Sequence, residues 1–284
     1  PMLSQAAGAV TNIVLDPVFI FLLDMGITGA AIATVLGQMV SLSVSLFYVK
    51  KNKELDIHIR QIKLNGNAAR NIYQVGLPAI IMQAIGSVLV SGLNVILIAF
   101  TPVAVSVFGV YFKLQSFIFM PVFGINNGIT SIIGYNYGAK NKKRMMTTLT
   151  HALVISGAIM TVGMAIFLLA PSWLLSLFSA SPEMLEIGIP ALRILSLCFI
   201  PASISIVLIS SFQATGFGIG AMLISIIRQL AVLLPVAYIM SRFMGLYGIW
   251  FAFLVAEVAG LAAALLFFSY NYKKQIKPLD DINA

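Results

Sequence analysis

The sequence predicts an all-α, polytopic membrane protein, and three observations carry that prediction. Of its 284 residues, 60% are hydrophobic and only 9% are charged, against roughly 45–50% and 25% in soluble domains. Apolar runs of about 20 residues or more, the length an α-helix needs to cross the hydrocarbon layer, recur eight times along the chain. Lys and Arg gather in the short segments between alternate runs, the asymmetry that orients helices across a bilayer.

The eight runs cover approximately 4–23, 29–49, 72–100, 104–135, 146–170, 184–211, 219–242 and 246–270. The fourth is too long for one straight crossing, and Pro121, Gly124 and Gly128 mark where it can bend or break. With both ends cytoplasmic, that side receives nearly all the basic residues outside the spans, at 50–70, 140–144 and 273–277. The opposite loops receive only Arg242, and Lys113, Arg193 and Arg228 fall inside helices. The 171–188 loop, with Glu183 and Glu186, then faces outward, flanked by Trp173 and Trp250 as interfacial anchors. The net charge of +8 therefore reads as topology rather than as nucleic-acid binding.

Four regions follow. Residues 1–49 hold the last two helices of one lobe, 50–71 a cytoplasmic linker, 72–272 a six-helix lobe, and 273–284 a cytoplasmic tail. GITGAAIATVLGQ from Gly26 aligns with GLYGIWFAFLVAE from Gly245, so that Gly26, Gly29, Ala33 and Gln38 fall on Gly245, Gly248, Ala252 and Glu257. Pro17 stands one residue out of register with Pro235. This pattern is that of an internal repeat, and extending it places about four helices, roughly 150 residues, ahead of Pro1. The parent would then be two six-helix bundles in parallel repeat.

Several chemistries find no support. Cys198 is the single cysteine, which leaves no internal disulfide and no CxxC motif. His58 and His151 stand in no metal-binding spacing, and His58 reads as an ordinary exposed histidine. Gly216, Gly218 and Gly220 form a turn, not a phosphate loop, since no GK[ST] follows. Asp280 and Asp281 are adjacent in a polar tail. No enzyme active site and no cofactor are expected.

The polar residues inside the spans carry the argument instead. Asp16 is a carboxylate in the middle of an apolar helix, a placement that costs roughly 2.5–3.5 kcal/mol on insertion scales and marks a functional site by default. Asn12 lies one turn earlier on the same face. Pro17 has no N–H to donate, so it frees the carbonyl of Ile13 in that turn. A carboxylate, an amide oxygen and an unpaired carbonyl make a site for a proton or a small cation, and protonation would remove the charge. In the second lobe Glu257 is the acid deep in a span. Lys113 and Arg228 are both candidate partners, and a structural ion pair stands beside direct coupling. Gln83, Gln115 and Tyr111 are candidate cavity-lining positions, and Met82 and Met120 candidate adaptable wall.

The chain resembles the C-terminal two-thirds of a multidrug and toxic compound extrusion (MATE) transporter, within the multidrug/lipid/polysaccharide flippase superfamily. The resemblance is carried by NIVLDPVFIF from Asn12, GITGAAIATVLGQ from Gly26, VGLPAIIMQ from Val75 and KLQSFIFMPVFGINNGITSIIGYNYGAKNKKRM from Lys113. SPEMLEIGIPALRI from Ser181 and SSFQATGFG from Ser210 add to it. It implies a plasma-membrane antiporter that exports cationic, amphipathic compounds in exchange for H+ or Na+. A lipid or lipid-linked oligosaccharide flippase is the alternative within the superfamily. In several members an acid on the first helix joins Asn and Asp on the fifth and Thr on the sixth. Asn12 and Asp16 match the fifth-helix pair and Thr34 the sixth-helix threonine, while the first-helix acid would lie in the missing region. The acids that some sodium-coupled members carry on the seventh and tenth helices find no match: this chain has Gln83 and no acid between Arg70 and Ser181, and none within 187–256.

Overall fold

The computed structural model describes residues 2–51 and 66–279. Most of the expected linker, with His58, and the tail acids Asp280 and Asp281 lie outside the described residues. The chain divides into two compact units, 1–65 and 66–284.

The first unit is a helical hairpin. Helix α1 (Met2–Pro17) runs on through a π-helical stretch, Val18–Leu22, and α2 covers Gly26–Lys51. The wide turn follows Pro17 directly, with the Leu23 amide donating to the Val18 carbonyl at 3.0 Å. The connecting residues Asp24 and Gly26 both take positive φ, 50° and 53°. The two helices then meet backbone to backbone. A Cβ on Gly29 would stand 2.7 Å from the carbonyl oxygen of Phe19, and one on Gly37 would stand 2.8 Å from that of Gly8. Small residues at a helix crossing allow this approach.

The second unit contains the remaining helices: α3 (Gly66–Ile98), α4 (Pro102–Gly138), α5 (Lys142–Leu169), the short α6 (Pro171–Ser176), α7 (Pro182–Ser196), α8 (Phe199–Ala214), α9 (Gly218–Ile226), α10 (Leu234–Met244) and α11 (Leu246–Asn271). A π-helical stretch, Ile227–Leu233, joins α9 to α10. Side-chain caps start the helices where the sequence supplies them. Thr101 accepts from the Val103 amide at 3.3 Å, Asn141 from Arg144 at 3.0 Å, and Ser181 from Met184 at 3.2 Å.

Seven helices of the described residues are long and apolar enough to cross a membrane, and eight when α7 and α8 count as one span bent by 47°. This matches the expected runs one for one. The bend itself was not expected. Its cause is Pro201, the third residue of α8, which cannot donate to the carbonyl of Leu197 four residues earlier. Helix α4, by contrast, is continuous over all 37 residues, about 55 Å at 1.5 Å per residue, despite Pro121.

Two local expectations are corrected. The 171–188 stretch is not a simple loop: Pro171 and Pro182 each open a helix, so Glu183 and Glu186 lie on α7. Glu183 accepts from the Thr101 hydroxyl at 3.5 Å. Trp250 is not an interfacial anchor. It is 1% exposed and packs in the core with Ile249 and Phe253, three residues further along the same face of α11. Trp173 remains 58% exposed.

The core of the second unit is an aromatic chain, Tyr111–Phe167–Phe199–Phe119, with centroid separations of 6.4, 5.1 and 5.4 Å. Edge-to-face geometry at these distances adds about 0.5–1.5 kcal/mol per pair beyond burial. Its last two long elements repeat the logic of the first unit. Gly245 takes φ 61°, as Gly26 takes 53°, and a Cβ on Gly248 would collide with the carbonyl of Met240, as one on Gly29 would with Phe19. The aligned glycines do the same work in both hairpins.

Candidate functional sites

In the first unit the hairpin brings Asn12, Asp16 and Thr34 together. The Asn12 amide nitrogen donates to Asp16 Oδ1 at 3.4 Å and reaches Thr34 Oγ1 at 3.5 Å. The one-turn spacing supplies the first contact, and the tight crossing at Gly37, whose Cβ would stand 3.2 Å from Asn12 Cβ, supplies the second. Thr34 also donates to its own helix, to the Ala30 carbonyl at 2.8 Å, so its oxygen keeps lone pairs facing Asn12. Asn12 and Asp16 are half-buried and Thr34 is exposed. A shallow groove of about 270 Å³ runs beside them, lined by Gln5, Gly8, Ala9, Asn12, Thr34, Gly37, Gln38 and Ser41. Asp16 has no salt-bridge partner among the described residues. Among the described residues it is a carboxylate met by one amide.

In the second unit geometry gives the partner of Glu257. Arg228 Nη1 donates to both carboxylate oxygens at 3.2 Å, with each side chain 17% exposed. Arg228 sits in the π-helical stretch, and its stem lies against Gly260, where a Cβ would stand 2.7 Å from Arg228 Cδ. Lys113 is exposed and lies over the Phe178 ring at 6.0 Å instead. The pair faces a cavity of about 390 Å³ with Tyr111, Gln115 and Gln229, walled by Phe112, Phe119, Phe123, Met120 and Phe253. Gln83 is exposed and does not line it, and Met82 packs in a separate core cluster. The aromatic wall was missed from the sequence, although its signal was there: Tyr111, Gln115 and Phe119 recur at four-residue spacing along α4, as do Phe112, Ser116 and Met120. Cys198, at the bend between α7 and α8, also lines the cavity.

Among the described residues no three His, Cys, Asp or Glu side chains converge to hold a metal.

The MatE family model matches residues 78–239, more than half of the chain. The chain belongs to the MatE family. The multidrug export protein MepA of Staphylococcus haemolyticus is 27% identical over 276 residues, covering 97% of this chain and 60% of that protein. MepA of Staphylococcus aureus is 28% identical over 266 residues, 93% of this chain and 58% of that protein. This MatE chain thus spans about 60% of the length of the curated relatives it matches. An outward-facing multidrug resistance MATE transporter of the MOP superfamily superimposes with a TM-score of 0.85 at 28% identity, over 99% of this chain and 63% of that one. A MOP superfamily transporter from Pyrococcus furiosus, described as having a binding pocket of reversed polarity that suggests a different function, also reaches 0.85 at 28% identity, over 98% and 63%. The resemblance read from the sequence and the all-α multi-pass membrane architecture are both borne out.

Proposed function

We propose that this MatE chain is the larger part of an ion-coupled antiporter that exports cationic, amphipathic organic compounds as H+ or Na+ enters. The names of its relatives support export, and the observation that carries the coupling mechanism is an Asp16 carboxylate inside a span with no ion-pair partner among the described residues. A charge held inside a span is tolerable only while something neutralises it. A proton or a small cation does so in one state of the cycle, and its departure restores the charge in the other. Asn12 and Thr34 position the carboxylate and offer further oxygens. In the whole protein, about four further helices complete the first lobe, in line with the coverage of the relatives and the repeat. The distribution of basic residues supports an orientation with both ends of this segment on the cytoplasmic side of the plasma membrane.

The test is Asp16→Asn in the whole protein, reconstituted in vesicles and assayed for export of a cationic dye against an imposed ion gradient. Complete loss of gradient-driven export with normal insertion is expected. Export at the wild-type rate would remove Asp16 from the mechanism.

A further inference from the structure

Away from the cavity, two polar atoms are buried in the second unit and left unpaired. Asn126 is 4% exposed and Ser156 fully enclosed, and among the described residues Asn126 Oδ1 and Ser156 Oγ have no hydrogen-bond partner. Leaving such atoms unpaired is costly in an apolar interior. The Asn126 amide nitrogen donates to the Val122 carbonyl at 2.9 Å, which leaves Oδ1 as the open end. Ser156 departs from the pattern around it. Buried serines in a span commonly donate to a carbonyl about one turn back, as Ser203 does to Ile200 at 3.0 Å and Ser210 to Ile206 at 3.1 Å.

Helix register sets these groups at one level. Helices α4, α5 and α8 pack against one another in all three pairings. Gly163 of α5 stands against Ile118 of α4, where a Cβ would press on the isoleucine side chain. Seven residues nearer the α4–α5 turn on each helix come Ser156 and Ile125, the neighbour of Asn126. Helix α8 runs parallel to α4: the Phe199 and Phe119 rings lie 5.4 Å apart, and the Ala214 carbonyl oxygen lies 3.5 Å from a Cβ placed on Gly134. The same offset brings Ile206, between Ser203 and Ser210, level with Asn126. Asn126 is two turns beyond Phe119 and shares its face, toward the meeting of α5 and α8. On one side of this level Phe119, Met160 and Phe199 belong to one apolar cluster; on the other Ile129, Ala152 and Val207 belong to a second.

The occupant of such a layer has to accept from the Ser156 hydroxyl and donate to Asn126 Oδ1. A sodium ion does neither, and it would bring an unpaired charge among neutral groups. Water does both. Ser203 and Ser210 already donate to their own helix, so their oxygens are open to a second water hydrogen.

We propose that an ordered water is built into the α4–α5–α8 junction, accepting from Ser156 and donating to Asn126 Oδ1 and to Ser203 or Ser210. The second unit is then two apolar cores stacked end to end and joined through a solvent molecule. The site is independent of the export reading, and its test needs no transport.

The experiment uses the whole protein in detergent, with sodium or choline as the added cation. A structure at about 2 Å should show a peak within about 3.2 Å of both Asn126 Oδ1 and Ser156 Oγ in either salt. A pulse of X-ray-generated hydroxyl radicals, which marks enclosed side chains beside bound water, should oxidise Met160, one turn from Ser156, despite its full burial. Ser156→Val and Asn126→Leu should each lower that oxidation about tenfold and leave the exposed Met244 unchanged. Ser156 Oγ bonded straight to Asn126 Oδ1 with no peak between them, or Met160 oxidation unmoved by both substitutions, would overturn the proposal. So would a peak that disappears in choline, since the occupant would then be a sodium ion.

Discussion

The α1–α2 hairpin and the α10–α11 hairpin are built on the same glycine frame, but they handle a carboxylate inside a span in opposite ways. Asp16 meets an amide and stands near a hydroxyl, with no cationic partner among the described residues. Glu257 meets a guanidinium and its charge is closed. At the repeat offset, Arg228 and Glu257 fall on Ala9 and Gln38, which both line the groove beside Asn12 and Thr34. The first hairpin therefore has neutral residues at the two positions where the second is charged. Shared backbone geometry fixes how the helices approach; side chains at a few positions then decide whether a site is left to be neutralised from outside.

The comparison can be broken most severely at its frame. Gly248→Val and Gly29→Val each drive a side chain into a backbone carbonyl that has no rotamer to yield. Either is expected to destabilise by roughly 4–5 kcal/mol or more, read as loss of a monodisperse peak in size-exclusion chromatography. Normal behaviour of both variants would show that the two hairpins do not depend on a common close approach. Next in size is the closed pair. Arg228→Leu alone leaves Glu257 uncompensated and should cost roughly 3 kcal/mol, seen as a lower Tm in detergent. Adding Glu257→Leu should recover most of that loss; an unrecovered double variant would mean that the pair is not a self-contained unit.

A transplant sharpens the same contrast. Ala9→Arg with Gln38→Glu, and Ser41→Gly to supply the notch that Gly260 provides for Arg228, should build a second closed pair beside Asp16. A double-mutant cycle should find about 1 kcal/mol of coupling between the new partners. The smallest effect belongs to Thr34→Val. Its hydroxyl donates to its own helix, so stability should change by less than about 0.5 kcal/mol. A Tm shift well beyond that would give Thr34 a packing role that the hairpin geometry does not suggest.

Much of this was legible in the chain itself, for reasons that differ from place to place. The spans could be read because hydropathy alone selects them, and Asn12 with Asp16 because a four-residue spacing on one helix is a local fact. The partner of Glu257 could not be read. Arg228 and Lys113 are both distant in sequence, and the choice rests on how α11 meets the π-helical stretch, a tertiary property. Trp250 misled because its place near a helix end suggested an interface, while the face it shares with Phe253 points into the core. The bend at Leu197 was readable in principle from Pro201, but the apolar run around it continues without interruption.

The wide turn at Ile227–Leu233 carries one more implication. A π turn holds one residue more than an α turn needs, so it acts as slack in the register of its helix. Removing a single residue there would let the ladder close as ordinary α-helix without shortening the span appreciably. The helices on either side would keep the faces they now present, because the residue lost is the one that the wide turn accommodates. The charge of Arg228 therefore rides on a turn that can be tightened without disturbing its neighbours.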